Sequence, residues 1–237
     1  MSDPWFEIDC GPVVLALQTT CYPEPAPYGS FNLGWHVGDD KDCVAKNHER
    51  LASRFGCGVY FPEQVHGINV VRVNRESSVI SGDAVVTDQP NCPIGVMTAD
   101  CLPVLFATQG LVGAAHAGWR GLVSGVLENM LREFPHPSKV QVWLGPCISR
   151  EAFEVGPDVV DAFMSKNSAW ARYFEAVDGA GRSLANLRGI ATDLLENHGF
   201  VDIKGINACT YSDSNRWYSY RRSGVTGRMA SCVMLTE

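Results

Sequence analysis

Apolar positions recur at two spacings along the chain, and each spacing predicts its own kind of element. Short runs rich in aliphatic and β-branched residues occur at 69–73, 83–87, 94–97, 103–107 and 111–115, a length and composition that predict strands. Between 121 and 134 the apolar residues fall instead at Leu122, Val126, Met130 and Phe134, a helical period. Asp39 or Asp40 is placed to cap a helix over about 43–55, since a short carboxylate accepts from the free N–H groups of a first turn. Residues 139–144 read as a strand ending in Gly145-Pro146, with helices expected at 157–165 and about 187–198 and a closing strand at 229–235. Strands outnumber helices and several arrive in succession, which predicts an α+β fold with mixed sheets over a regular βαβ alternation. The stretch 22–30, with Pro23, Pro25, Pro27 and Gly29, reads as a loop. No repeat, linker or low-complexity tract divides the chain, so a single domain over 1–237 is expected.

Composition narrows the class. At 46% apolar and 19% charged residues over 237 positions, the chain is globular and long enough to bury a sizeable core. Nineteen basic against 26 acidic residues leave a net charge of −7, which speaks against a whole-surface binder of nucleic acid or of an anionic membrane. A local basic pocket is still compatible with it. No apolar run approaches the roughly 20 residues that span a bilayer, and Met1-Ser2-Asp3-Pro4-Trp5 lacks the basic-then-apolar pattern of a signal peptide. The nine cysteines are scattered without CxxC pairs. A cytoplasmic protein, with most thiols acting as small buried hydrophobes, is the expectation.

Three segments set polar groups where apolar strands end: Glu63-Gln64-Val65-His66-Gly67, Thr98-Ala99-Asp100-Cys101-Leu102-Pro103, and Ala114-Ala115-His116-Ala117-Gly118-Trp119-Arg120-Gly121. Loops at strand ends are where a rigid scaffold holds functional groups. One cysteine and two histidines there, His66, Cys101 and His116, can bind Zn²⁺ as three ligands and leave a fourth position for water. The resulting +1 centre acidifies that water. Their wide separation in sequence leaves three unrelated, satisfied side chains as the alternative. Arg120 precedes the expected helix, so its guanidinium and the first N–H groups can converge on an anion; a surface pairing with a carboxylate is the other reading. Asp100 is a candidate acid–base group or a structural carboxylate accepting backbone hydrogen bonds. Residues 218–228 gather Arg221, Arg222 and Arg228 with Tyr218 and Tyr220, a mixture suited to phosphate contact and base stacking, or to a solvated β-turn. Cys147 either lines the site or is a buried structural thiol.

Taken together, EQVHG, MTADCLPVLF, HAGWRG, LGPCI, AFEVG, CTYS and SYRRSGVTGRMAS stand in the order seen in the YfiH/PgeF family, long labelled multicopper polyphenol oxidase or laccase-domain protein. The resemblance runs from Phe31-Asn32-Leu33-Gly34 to the C-terminus. It implies a fold of central mixed sheets with helices outside, and one zinc held by His66, Cys101 and His116. It also implies a purine nucleoside enzyme that phosphorolyses adenosine, inosine and methylthioadenosine and deaminates adenosine. Nucleoside and phosphate would then be the partners, with Arg120 and Asp100 as catalytic candidates. Asn32 and Gln64, inside matched segments, join Arg221 and Arg228 as candidate substrate-binding residues. For bacterial members the resemblance further implies peptidoglycan editing, an amidase removing L-Ser from UDP-MurNAc. A metal-free variant of that amidase would use Cys101 as nucleophile and His116 as base.

Two departures from the family pattern bear on substrate recognition. Thr19-Thr20-Cys21-Tyr22-Pro23 stands where the family has Thr-Arg-x-Gly-Gly, and Asn186 stands where a carboxylate is common. A multicopper site is argued against by the count of six histidines with no His-x-His pair. A single copper on the His₂Cys set is the rival to zinc, and a non-catalytic, metal-stabilised binding module ranks last.

Overall fold

The computed structural model describes residues 3–21, 27–177 and 181–236; the first part of the expected loop, 22–26, lies outside the described residues. Thirteen strands and six helices follow one another along it. The strands are β1 Trp5–Ile8, β2 Val14–Thr19, β3 Val70–Arg72, β4 Ala84–Thr87, β5 Ile94–Thr98, β6 Leu102–Ala107 and β7 Val112–Ala117. After them come β8 Gln141–Leu144, β9 Glu154–Val155, β10 Phe174–Ala176, β11 Ser183–Ala185, β12 Asp202–Gly205 and β13 Met229–Leu235. The helices are α1 Lys41–Phe55, α2 Trp119–Ser124, α3 Val126–Leu131, α4 Pro157–Lys166, α5 Leu187–Asn197 and α6 Tyr220–Ser223.

Three sheets result, in the orders β12-β8-β6-β7-β4-β3, β1-β2-β13-β5 and β10-β11-β9. The pairs β12/β8 and β3/β4 are parallel and the neighbours inside the large sheet antiparallel, so the α+β class with mixed sheets holds. Side chains alternate across a strand, and here both faces are covered. Ala84, Val86, Leu102, Val104 and Phe106 pack with Leu122, Val126, Leu127 and Met130 of α2 and α3 and with Ile190 and Leu194 of α5. Their in-between neighbours Val85, Leu105, Val112 and Ala114 pack with Ile94, Val96, Val233 and Leu235 of the four-stranded sheet. That second sheet turns Leu17, Ala230, Cys232 and Met234 toward Leu51 and Phe55 of α1. The order is helices, large sheet, small sheet, helix. Burial on both faces explains why the strands read as unbroken apolar runs.

Local chemistry sets the boundaries. Asp40, not Asp39, caps α1, accepting from the N–H groups of Asp42 at 2.9 Å and Cys43 at 3.0 Å, and Gly56 ends it in the left-handed region at φ 78°. The single helix expected over 121–134 is two: Gly125, at φ 109°, ends α2 and starts α3. Glycine adopts that conformation without the Cβ penalty, and Leu122, Val126, Met130 and Phe134 all stay buried across the break. The strand expected from 139 begins at Gln141, because Pro137–Lys139 forms a 3-10 turn. Asn186 caps α5 by accepting from the Gly189 N–H at 2.9 Å, a task asparagine and aspartate perform equally. The β1–β2 pair and the small β9–β11 sheet escape the sequence pattern. In β2 the polar Gln18 and Thr19 are fully buried and break the apolar run; they are satisfied by the Ser231 hydroxyl and the Ala230 N–H. Among the described residues no helix is long and apolar enough to cross a membrane.

Gly205 joins β12 to β8 beside Leu144, and a Cβ there would overlap the Leu144 carbonyl oxygen. Backbone cannot yield as a flexible side chain does. Gly205→Ala is expected to cost about 1–3 kcal/mol and to lower the melting temperature by several degrees in a thermal unfolding scan.

Candidate metal centre

Cys101 sits in the short crossing that carries the chain from β5 in one sheet to β6 in the other. His116 lies near the end of β7, opposite Pro103 of β6, and His66 on the loop before β3. The fold brings these three together: their ligand atoms all lie within 4.8 Å of one another. Cys101 Sγ is 3.9 Å from His66 Nε2, and the two imidazoles meet edge to face at 4.7 Å between centroids. Tetrahedral bonds of 2.0–2.3 Å put ligand atoms about 3.5 Å apart; the Cys101–His66 pair stands a few tenths of an ångström beyond that and no pair more than about 1.3 Å beyond it. Gly118 leaves the room: a Cβ there would lie 3.0 Å from Cys101 Sγ, 3.2 Å from His66 Cδ2 and 3.6 Å from His116 Nε2. A thiolate and two imidazoles are a donor set that suits Zn²⁺ and copper.

A residue absent from the sequence candidates holds the arrangement. Asp83, fully buried at the head of β4, accepts from the N–H groups of Val65 at 3.2 Å, His66 at 2.9 Å and Gly67 at 2.6 Å. Its Oδ1 is also 2.8 Å from His116 Nδ1. A protonated Nδ1 leaves the Nε2 lone pair for a metal, the usual carboxylate–histidine support of a ligating imidazole. The three consecutive N–H groups also hold His66 at φ 60°, a conformation uncommon outside glycine. Burial pushes the Asp83 carboxyl up, but the hydrogen bonds from His116, Gly67 and Val65 outweigh it and hold the group below its ordinary value.

Electrostatics favour a deprotonated sulfur. Burial opposes ionisation of Cys101, yet the His116 charge and the hydrogen bonds from His116 and His66 lower its pKa to about 6. Burial likewise opposes protonation of His116, and the Cys101 charge with the Asp83 hydrogen bond raises it to about 9. Without an ion the pair is a thiolate beside an imidazolium, the charge distribution a cation then replaces.

Asp100 is anchored by two hydrogen bonds. At φ 95° and buried, it accepts from the Thr210 hydroxyl at 2.6 Å and from the Arg221 N–H at 2.7 Å, so both oxygens are committed to fixing the residue beside Cys101. Asn32 and Gln64 are both hydrogen-bonded within the fold. The Asn32 amide donates to Gly34 O and Asp39 and accepts from the N–H groups of Gly34 and Arg228. Gln64 exchanges two hydrogen bonds, 2.7 and 2.8 Å, with the backbone of Met97 in β5, tying the His66 loop to the strand that leads to Cys101.

The arginines divide. Arg222 is spent on the carbonyls of Thr210, Tyr211 and Trp217. Arg221 donates to Glu154 O at 3.0 Å and lies over Phe153. Arg228 is half-buried and donates to the carbonyls of Thr226 and Gly227; burial lowers its pKa, while Cys101, Asp100 and Tyr220 face it with opposing effect. Arg120 is exposed and rests on the Trp119 ring at 4.5 Å, making no hydrogen bond among the described residues. Tyr218 is buried, its hydroxyl donating to Tyr28 O, whereas Tyr220 is 60% exposed. The segment is buried at its ends, Tyr218 with Ser219 and Thr226 with Gly227, while α6 and the turn after it are largely exposed. Cys147 is buried, and burial raises its thiol to about 11, which fits the structural reading.

Residues 23–236 match the family described as multi-copper polyphenol oxidoreductase laccase. The chain is 43% identical over 215 residues to a Pseudomonas aeruginosa protein named purine nucleoside phosphorylase, covering 90% of this chain and 88% of that one. A Haemophilus influenzae purine nucleoside phosphorylase is 44% identical, with 88% of each chain covered. The purine nucleoside phosphorylase YfiH of Escherichia coli is 41% identical, again over 88% of each. A crystal structure of a Neisseria meningitidis protein superposes with a TM-score of 0.94 at 39% identity, over 99% of this chain and 100% of that one.

Two outcomes test the centre. Asp83→Asn turns an amide group toward donors and weakens the hold on His116; zinc affinity, read by competition with a chromophoric chelator, is expected to fall about 10- to 100-fold. In chelator-treated protein the lowered pKa keeps Cys101 ionised as pH falls, so its alkylation by iodoacetamide should stay fast at pH 7 and halve near pH 6, not near the ordinary thiol value of 9.0. Peptide mass spectrometry of Cys101 reads it, and His116→Ala should move the midpoint upward.

Proposed function

The chain belongs to the multi-copper polyphenol oxidoreductase laccase family, and from that premise we propose that it is a purine nucleoside phosphorylase working at a single zinc centre held by His66, Cys101 and His116. The observation that carries this reading is the setting of the donor triad. An uncommitted cation, Arg120, follows His116 in the chain, and the charge of the half-buried Arg228 reaches Cys101. Such cationic flanks suit an anionic co-substrate next to a metal-bound one. Relatives at 41–44% identity carry the name purine nucleoside phosphorylase. The oxidase part of the family description asks for several coppers, but among the described residues only one group of three His, Cys, Asp or Glu side chains converges.

Phosphorolysis breaks the bond between the sugar C1′ and the base nitrogen and forms a bond from C1′ to a phosphate oxygen. The electron pair of the broken bond leaves with the base. This chain's part is to hold the dianion in line with C1′. Arg120 and Arg228 offer forked N–H donors matched to phosphate oxygens, and Arg221 adds the donors not spent on Glu154. Fixing the two reactants against each other removes entropy from the barrier. Half-burial of Arg228 lowers the local dielectric, so its charge acts more strongly than it would in water. Asp83 keeps the His116 proton on Nδ1, and Asp100 holds the backbone beside Cys101. Zinc, when bound, supplies Lewis-acid polarisation at its fourth coordination position.

Zinc-loaded protein incubated with adenosine, with and without phosphate, tests the reading by mass spectrometry of the products. Adenine and ribose 1-phosphate are expected only with phosphate, and neither from Cys101→Ala. Inosine formed without phosphate would assign deamination to the same centre. No turnover by fully metallated protein would overturn the nucleoside reading and make UDP-MurNAc-L-Ser the next substrate.

A further inference from the structure

Trp35 is the anomaly of the segment that follows Asn32. Its indole is 51% exposed, although Trp143, Trp170 and Trp217 are buried. Exposure of so large a ring costs hydrophobic free energy, and this ring is held still while exposed. One face stacks on the His48 imidazole, centroids 5.1 Å apart and planes 21° from parallel. His48 is itself pinned: its Nε2 is 2.8 Å from Leu33 O, and its ring meets Phe61 edge-on at 5.8 Å. Burial lowers the His48 pKa, which keeps the supporting ring neutral. The opposite indole face is left to solvent.

The same segment is locked to the arginine that borders the metal centre. Asn32 accepts from the Arg228 N–H at 2.8 Å. Gly34 lies so close to the Arg228 stem that a Cβ would come within 2.8 Å of its Cγ. On the other side of Trp35, His36 lies within the field of the Arg228 charge. Trp35 is thus flanked by residues that touch or feel Arg228, whose charge in turn interacts with those of Cys101, Asp100 and Tyr220.

We propose that the exposed face of Trp35 is a stacking platform for the purine base of the nucleoside, a base-binding element outside the metal centre. The inference rests on the nucleoside reading and adds to it the group that receives the base. A flat aromatic is received by a pre-fixed aromatic with little ordering cost, and stacking tolerates any purine because every base has a π-face.

Steady-state kinetics of the zinc-loaded full chain, as wild type, Trp35→Ala and Trp35→Phe, tests this. The alanine variant should raise the KM for adenosine about tenfold, with kcat within about twofold and the KM for phosphate unchanged. The phenylalanine variant, whose ring keeps a stacking face, should stay within about threefold of wild type. It should also lose the quenching of tryptophan fluorescence that adenosine produces in the wild type. An unchanged adenosine KM in Trp35→Ala, or an equal rise in the phosphate KM, would overturn the platform while leaving the phosphorylase reading intact. Quenching without turnover, lost in Trp35→Phe, would keep the platform and overturn the catalytic reading. Wild type showing neither quenching nor turnover would overturn both.

Discussion

A single buried carboxylate orders the centre of this protein. Asp83 collects three consecutive backbone N–H groups from the His66 loop and the Nδ1 of His116. An ionised carboxylate in the interior is costly unless its oxygens are well paired, so the energetic demand of Asp83 is what fixes its partners. The loop satisfies that demand in the unusual backbone conformation that turns the still-exposed His66 toward Cys101 and His116, and the imidazole of His116 with its other nitrogen directed at the centre. Two of the three candidate ligands owe their orientation to one charge. The third, Cys101, is set by its neighbour Asp100, whose oxygens bind Thr210 and Arg221.

Close backbone approach completes the centre. Gly118 leaves open the space that a side chain would fill among the three donors, and Gly121 lets α2 come near the Gly67 carbonyl oxygen, 2.9 Å from where a Cβ would stand. Gln64 pairs with Met97 like a short piece of strand. Through it the loop of one ligand is fastened to the strand that delivers another. Interiors packed at this density resist small shifts, and a metal site benefits from supports of this kind as much as from its ligands.

The net charge of the whole chain does not describe the site, where cations and anions are mixed. A net −7 describes the surface, where ion pairs such as Arg72 with Asp88 and Glu133 are half-exposed and contribute little. Near the centre, the segment that closes the sheet carries Arg221, Arg222 and Arg228, but all three serve partly or wholly as structural donors to carbonyl groups. Arginine count in a motif therefore overstates the cations on offer. Geometry separates the guanidinium groups that brace the fold from Arg120, which has none of these ties.

Much of this was legible in the chain. The strands from 69 to 115, helix α1 with its aspartate cap, and the late helices follow from period, length and capping chemistry, all of which act between near neighbours. The three donor residues stand out because polar side chains interrupt apolar strand ends. Their convergence needed the fold, since β5 and β6 lie in different sheets and His66 is 50 positions from His116. Gly125 splits a periodic helix without moving its apolar stripe, and β2 hides behind buried polar residues whose partners are more than 200 positions away. Asp83 looked like the first residue of a strand because nothing local marks a carboxylate that will be buried and shared. The class of fold and the kinds of ligand available are written in local pattern and side-chain chemistry, which the chain carries without its fold. Which polar groups are spent on holding the backbone and which are left for a ligand depends on contacts between distant segments, and these exist only in the folded chain.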